Sequence, residues 1–295
     1  MGGGPPLRHV TGSRVRHRAD TRPLPGVDRR VVLEGDDPER ERRRFAAGIA
    51  AAAAAPALLG AAPAPSHRDD RLRKAMRAAL GDELDDRATA RAVEPHIHDI
   101  GFDWHPPTAP LGRIDFLVAY GFGNRPPAGG GDPTKVMYEP GPVNEELADT
   151  VARVRARRDV PVYAQWEIAR FLKSKYGMTR VTSVEPVVAP DGTITYLSTD
   201  GVAAQVVEAR EKLPEGIGTA GVIGFRDHVK RCVQTTNDRG MKAYAPAGFE
   251  MPGTYDPESG QAWTRRRDLY LVHDMTAQWT VLREKLIAGA SSGNS

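Results

Sequence analysis

The sequence predicts an α/β fold of Rossmann-like type over about residues 113–290, a mostly parallel sheet with helices on both faces. Three observations carry that expectation. Short, continuously apolar runs end in glycine or polar turns, as strands buried on both faces do. Stretches with apolar residues at helical spacing follow them. The two patterns alternate four or five times, which calls for a parallel sheet with crossover helices.

The first strand is read in Arg113-Ile-Asp-Phe-Leu-Val-Ala-Tyr120, which runs into Gly121-Phe122-Gly123-Asn124. A helix follows at 144–157, with Leu147, Val151 and Val154 on one face. Val160-Pro-Val-Tyr-Ala164 is the second strand, with Pro161 at its start, where a missing donor is tolerated. Gln165-Trp166-Glu167 leads into a helix that ends near Tyr176. A third strand is placed around 180–184, a Pro-Asp-Gly turn at 190–192, and a short hairpin strand at 194–197. Ser198-Thr199-Asp200 supplies N-cap chemistry for a helix that runs through Glu211. The remaining elements are a strand at 219–225, a helix at 227–239 with Gly240 as its stop, a strand at 241–245 and a final helix from about Arg266 to Leu286. The long loop before that helix, 249–263, has the length of a lid, and Arg265, Arg266 and Arg267 close it with cations placed against the helix dipole.

Upstream, residues 1–66 read as a disordered segment, because their Gly, Pro and Arg content gives no sustained period for burial. Within it, Arg42-Arg43-Arg44-Phe45 and the Ala-rich run to Ala64 have the order of a twin-arginine export signal. Pro65 would block cleavage after Ala64, and an Ala-rich helix is the competing reading, so export and a cytoplasmic location both stay open. Residues 67–112 form a helical lead-in and loop, with Leu72, Met76, Leu80 and Leu84 on one face of a single helix over 69–91.

Composition narrows the function. A net charge of +3 with dispersed arginines argues against a nucleic-acid-binding face. One cysteine, Cys232, cannot build a disulfide framework or a cysteine-rich zinc site. No apolar stretch has the length of a membrane span. The expected partner is a small molecule, anionic in character, and the sequence itself requires no cofactor.

In open parallel sheets, ligands bind outside the carboxyl ends of the strands. That edge collects Gly121, Gly123, Asn124 and Arg125 after the first strand, Glu167 after the second, Thr199 and Asp200 at a helix start, and Arg226, Asp227, His228 and Arg231 after the strand at 219–225. His228 and Arg231 lie three apart on one helical turn, where backbone N–H groups favour an anion. His228 therefore reads as an acid/base group and Arg231 as an anion clamp, with Glu167 and Asp227 as carboxylate partners. The spacing of the Gly121 turn lacks a full dinucleotide fingerprint. A separate cluster, His96, His98 and His105 with Asp99 and Asp103, would suit a divalent metal if 96–98 were extended, since alternate side chains then share a side.

Gly121 and Gly123, Thr199, and Phe225-Arg-Asp-His228-Val-Lys-Arg231, in this order, resemble the YdcF/SanA-like family of bacterial envelope and cytosolic proteins. The likeness covers about 113–245. The chain departs from the family pattern at Asn144-Glu145, where the family carries an Arg, and at Gln165-Trp166-Glu167, where it carries Ser-Gly-Gly. The resemblance implies a Rossmann-like domain with a pocket for a phosphate-bearing, lipid-linked or nucleotide-like small molecule, and S-adenosylmethionine binding in one branch. With the residues above, it gives the expectation of a hydrolase or transferase acting on a phosphorylated, nucleotide-like or glycosyl small molecule. The alternatives are a non-catalytic binding protein of envelope maintenance and a metal-dependent enzyme built on His96, His98 and His105.

Overall fold

A computed structural model describes residues 67–292. The disorder and export readings for 1–66 lie outside these residues.

The chain opens with two helices, α1 (His67–Glu83) and α2 (Arg87–Phe102). The single helix expected over 69–91 is broken because Asp86 accepts from the N–H groups of Ala88 and Thr89 and starts a new helix. Leu72, Met76 and Leu80 are half-buried along α1, while Leu84 is exposed past its end. Buried Glu94 of α2 joins the pair by accepting from Arg73 at 2.8 Å.

The sheet strands are β1 (Thr108–Ala109), β2 (Phe116–Ala119), β3 (Val162–Gln165), β4 (Val181–Val184), β7 (Thr219–Ile223) and β8 (Lys242–Pro246). A separate antiparallel hairpin consists of β5 (Val187–Val188) and β6 (Ile194–Thr195). The crossover helices are α3 (Pro142–Arg155), α4 (Trp166–Ser174), α5 (Thr199–Glu211) and α6 (Val229–Asp238), and α7 (Arg267–Ser292) closes the described chain. The six-stranded sheet has the order β1-β8-β7-β2-β3-β4, and every neighbouring pair is parallel. This is the α/β Rossmann-like arrangement expected. The edge strand β1 gives only two residues to the ladder, too short a run to stand out in sequence.

Strand alternation divides the core between the two faces. Leu117 and Ala119 of β2 face Leu147, Val151 and Val154 of α3 and Ile168 and Leu172 of α4. Phe116 and Val118 face Val202 and Val206 of α5 and Cys232 and Val233 of α6. Cys232 is fully buried, and burial pushes its thiol well above the usual range, so it behaves as a small apolar residue.

From central β2 the chain winds outward through β3 to β4, then returns beside β2 as β7 and winds the other way to β8. The order reverses between β2 and β7, and a crevice opens at such a point beyond the carboxyl ends of the strands.

Buried Lys230 of α6 clamps the lead-in helices to this domain. Its Nζ donates to the carbonyls of Asp99 and Asp103, both at 2.6 Å, and to Asp99 Oδ1 at 2.8 Å. Lys230→Met is expected to cost about 1.5–3 kcal/mol, the range for hydrogen bonds from a charged group, in urea unfolding followed by circular dichroism.

Candidate functional site

The turn after β7 and the start of α5 bring His228, Arg231 and Thr199 together, and α7 completes the group. His228 is 5% exposed. Its Nε2 lies 3.4 Å from Thr199 Oγ1, and its Nδ1 lies 3.5 Å from Asp274 Oδ1. At that distance Nδ1 is in electrostatic contact with the carboxylate but makes no hydrogen bond. Arg231 donates from Nε to Asp274 Oδ1 at 2.6 Å, and from its two terminal nitrogens to Thr199 Oγ1 and the Tyr270 hydroxyl, each at 3.3 Å. The Tyr270 hydroxyl donates to Asp274 Oδ1 at 3.1 Å, and Gln278 Nε2 donates to Asp274 Oδ2 at 2.7 Å. Asp274 is thus a buried hub.

Burial, with the positive charge of Arg231, pushes the His228 imidazole from 6.5 to about 4, against the pull of Asp274. The ring is neutral at ordinary pH. Burial alone would raise the Asp274 carboxyl; His228 and Arg231 overcome it and hold the group well below the usual carboxylate range. A neutral imidazole with a hydroxyl at one nitrogen and a fixed carboxylate near the other is arranged to accept a proton at Nε2.

Asp274 is absent from the residues the sequence singles out. The signal was the four-residue spacing of Tyr270, Asp274 and Gln278, which puts three polar side chains on the buried face of one helix. The spacing alone does not say which strand end that face meets.

Other expected site residues are placed elsewhere. Asp227 receives Arg226 at 3.1 Å, Arg267 at 3.0 Å and the Tyr255 hydroxyl at 2.9 Å. Burial opposes these contacts, which hold its carboxyl below the usual range. It ties β7 to the lid and α7, and the position before α6 belongs to His228, with no side-chain cap. Asp200 is engaged by Arg239 through two hydrogen bonds, away from the His228 hub. Arg125 is held by Asp256 at 2.9 and 3.0 Å and pairs with Glu258.

The Gly121–Asn124 turn is knotted by protein groups where a ligand was expected. Gly121 N–H donates to Gln165 Oε1 and Phe122 N–H to Asn144 Oδ1. Gly123 has a φ of +65°, and a Cβ there would come within 2.8 Å of Ser259 Oγ and 2.9 Å of Thr264 Oγ1. Glycine meets both demands. The segment 247–266 thereby seats on this turn, with Gly260 N–H and Ser259 Oγ donating to the Asn124 carbonyl. Phe122 and Phe225 stack beneath it at 3.9 Å, with Tyr255 and Tyr270 edge-on to Phe122. The 249–263 loop, expected as a lid, packs on the Gly121–Asn124 turn at the strand ends. The N–H groups of Gly121 and Phe122 and Gln165 Oε1 are thus engaged by protein groups.

Glu167 does not join His228. It sits at the first turn of α4 against Asn124, and Glu167 Oε2, Asn124 Oδ1 and the neighbouring Trp166 Nε1 are buried with no hydrogen-bond partner. Burial raises the Glu167 carboxyl from 4.5 to about 8, aided by repulsion from Glu185 and opposed by Arg170. Because the folded value is raised, the contribution is fully present below pH 4.5 and is lost as pH rises through about 8. Glu167→Gln is therefore expected to flatten the fall in stability over that window. At pH 8 the variant should exceed the parent by on the order of 4 kcal/mol, read from urea midpoints across pH.

The metal reading is corrected. His96 and His98 lie on helix α2, where a two-residue step turns them about 200° apart, and they do not share a side. His105 is exposed, with Nδ1 3.6 Å from Asp103 Oδ1. Among the described residues no three His, Cys, Asp or Glu side chains are grouped to hold an ion. No helix among them is long and apolar enough to cross a membrane.

Comparison with protein families, curated proteins and solved structures finds no match to this chain.

Proposed function

We propose that this protein is an enzyme, a hydrolase or transferase, acting on a phosphorylated small molecule at the His228–Arg231 edge of the sheet. The observation that carries the reading is the neutral, buried His228 held between Thr199 Oγ1 and Asp274 beside a cation, at the point where the strand order reverses. The likeness to YdcF/SanA-like proteins rests on the same His228 and Arg231 and points the same way. His228 accepts a proton, and Arg231, with the N-terminus of α5, attracts the anionic group. The lid segment 247–266 opens to admit substrate and excludes water when closed.

The test is turnover of 4-nitrophenyl phosphate monoesters and diesters and of nucleotides by the full chain, with product identified by mass spectrometry, beside thermal shift with the same compounds. Turnover is expected. A thermal shift with no product would replace the enzyme with a binding protein, and neither signal would remove the anionic ligand altogether.

A further inference from the structure

The geometry points to Thr199 as a nucleophile, with His228 as its base, Arg231 as the donor to its developing oxyanion and Asp274 as the residue that positions both. This inference rests on the hydrolase or transferase reading and adds a covalent step to it.

Four observations support the assignment. Thr199 Oγ1 contacts a neutral imidazole nitrogen at 3.4 Å and a guanidinium N–H at 3.3 Å. The hydroxyl can therefore donate its proton to His228 Nε2 while it accepts from Arg231, and each contact favours the alkoxide. Thr199 is only half-buried, whereas His228 is 5% exposed, so Thr199 is the more accessible of the two residues. Its direction is fixed by the fold: Thr199 is the first residue of a 13-residue helix, and Ser198 caps it by accepting from Gly201 N–H at 3.1 Å. The ordinary duty of a hydroxyl at a helix start is thus already met by Ser198, and the Thr199 hydroxyl is turned to His228 and Arg231 instead. Finally, Asp274 grips Arg231 and faces His228 Nδ1, a buried atom with no hydrogen-bond partner, which favours the tautomer that leaves Nε2 free to accept.

Thr199 Oγ1 forms a bond to the substrate phosphorus as the bond from phosphorus to the leaving oxygen breaks. The hydroxyl proton passes to His228 Nε2 and from there to the leaving oxygen. A water, or an acceptor alcohol in a transferase, then gives its proton to His228 and attacks phosphorus. Thr199 Oγ1 leaves and takes that proton back. No oxidant, metal or further reactant enters.

An alkyl fluorophosphonate tests this without knowledge of the natural substrate, because its P–F bond is broken by an activated hydroxyl and fluoride departs. With the full chain at pH 7.5, one adduct is expected by intact mass, mapped to Thr199 by peptide fragmentation. It should be absent in Thr199→Val, retained in Thr199→Ser, and slowed by about 100-fold or more in His228→Gln. No adduct on the parent chain, or one that survives Thr199→Val, overturns the nucleophile. Phosphate-ester turnover separates the two levels. Loss in His228→Gln but not in Thr199→Val leaves the enzyme standing with His228 acting directly on water. Unchanged turnover in His228→Gln sinks the parent reading as well. Retained far-ultraviolet circular dichroism and thermal midpoint in Thr199→Val exclude misfolding as the cause of a lost adduct.

Discussion

His228→Gln is expected to lower phosphate-ester turnover by about 10²–10⁴-fold, the range for removing a positioned acid/base group, with little change in far-ultraviolet circular dichroism. Glutamine keeps much of the volume packed near Phe122 and Tyr270 but cannot take up a proton. The pH profile separates this role from mere packing. Since the imidazole is depressed from 6.5 to about 4, activity should hold well below pH 6.5 and fall on an acid limb near 4. The same depression contributes stability that is present above 6.5 and lost as pH falls through about 4. Turnover should therefore be read in short assays, beside a circular dichroism check at each pH. An acid limb near 6.5 in the parent protein, or turnover in the variant equal to the parent, would remove His228 from the chemistry.

Asp274→Ala is expected to cost about 3–5 kcal/mol in urea unfolding, the largest stability effect among these substitutions. The carboxylate is 1% exposed and receives Arg231, Tyr270 and Gln278. Its removal leaves the largely buried guanidinium without its counter-charge, a greater loss than that of an exposed ion pair. Asp274→Asn, which keeps the shape and one acceptor, should lose less stability but still weaken the hold on His228 and Arg231. A loss below about 1 kcal/mol in Asp274→Ala would show that the hub is not an energetic centre.

The sheet was legible because its evidence is local. The runs at 116–119, 162–164 and 220–223 carry no charged or amide side chain, and their glycine and polar exits mark the carboxyl edge. The grouping of Thr199 with His228 and Arg231 was legible too, since all three follow elements whose direction the pattern fixes. What the sequence could not supply was partner choice among charged groups. Asp227 sits next to His228 in the chain yet turns to Arg226 and Arg267, while Asp274, 43 residues beyond Arg231, turns to the site. Glu167 misled for a related reason. A carboxylate after a strand suggests chemistry, but burial beside Asn124 and Trp166 is a property of packing that no spacing reports. The histidines at 96 and 98 misled through periodicity. An extended 96–98 would put both on one side, whereas the Asp86 cap starts a helix that runs through Pro95 and both histidines.

The dependence of the hub on α7 has a consequence for the order in which the molecule matures. Arg231 lies on α6, a crossover helix packed on the sheet, but the carboxylate that neutralises it belongs to a helix translated later. A nascent chain that has emerged only as far as β8 has every strand of the sheet and no counter-ion for this guanidinium. Docking of α7 is then the event that both neutralises the interior and completes the His228–Arg231 group, so the proposed activity should arrive late and together with resistance to proteolysis.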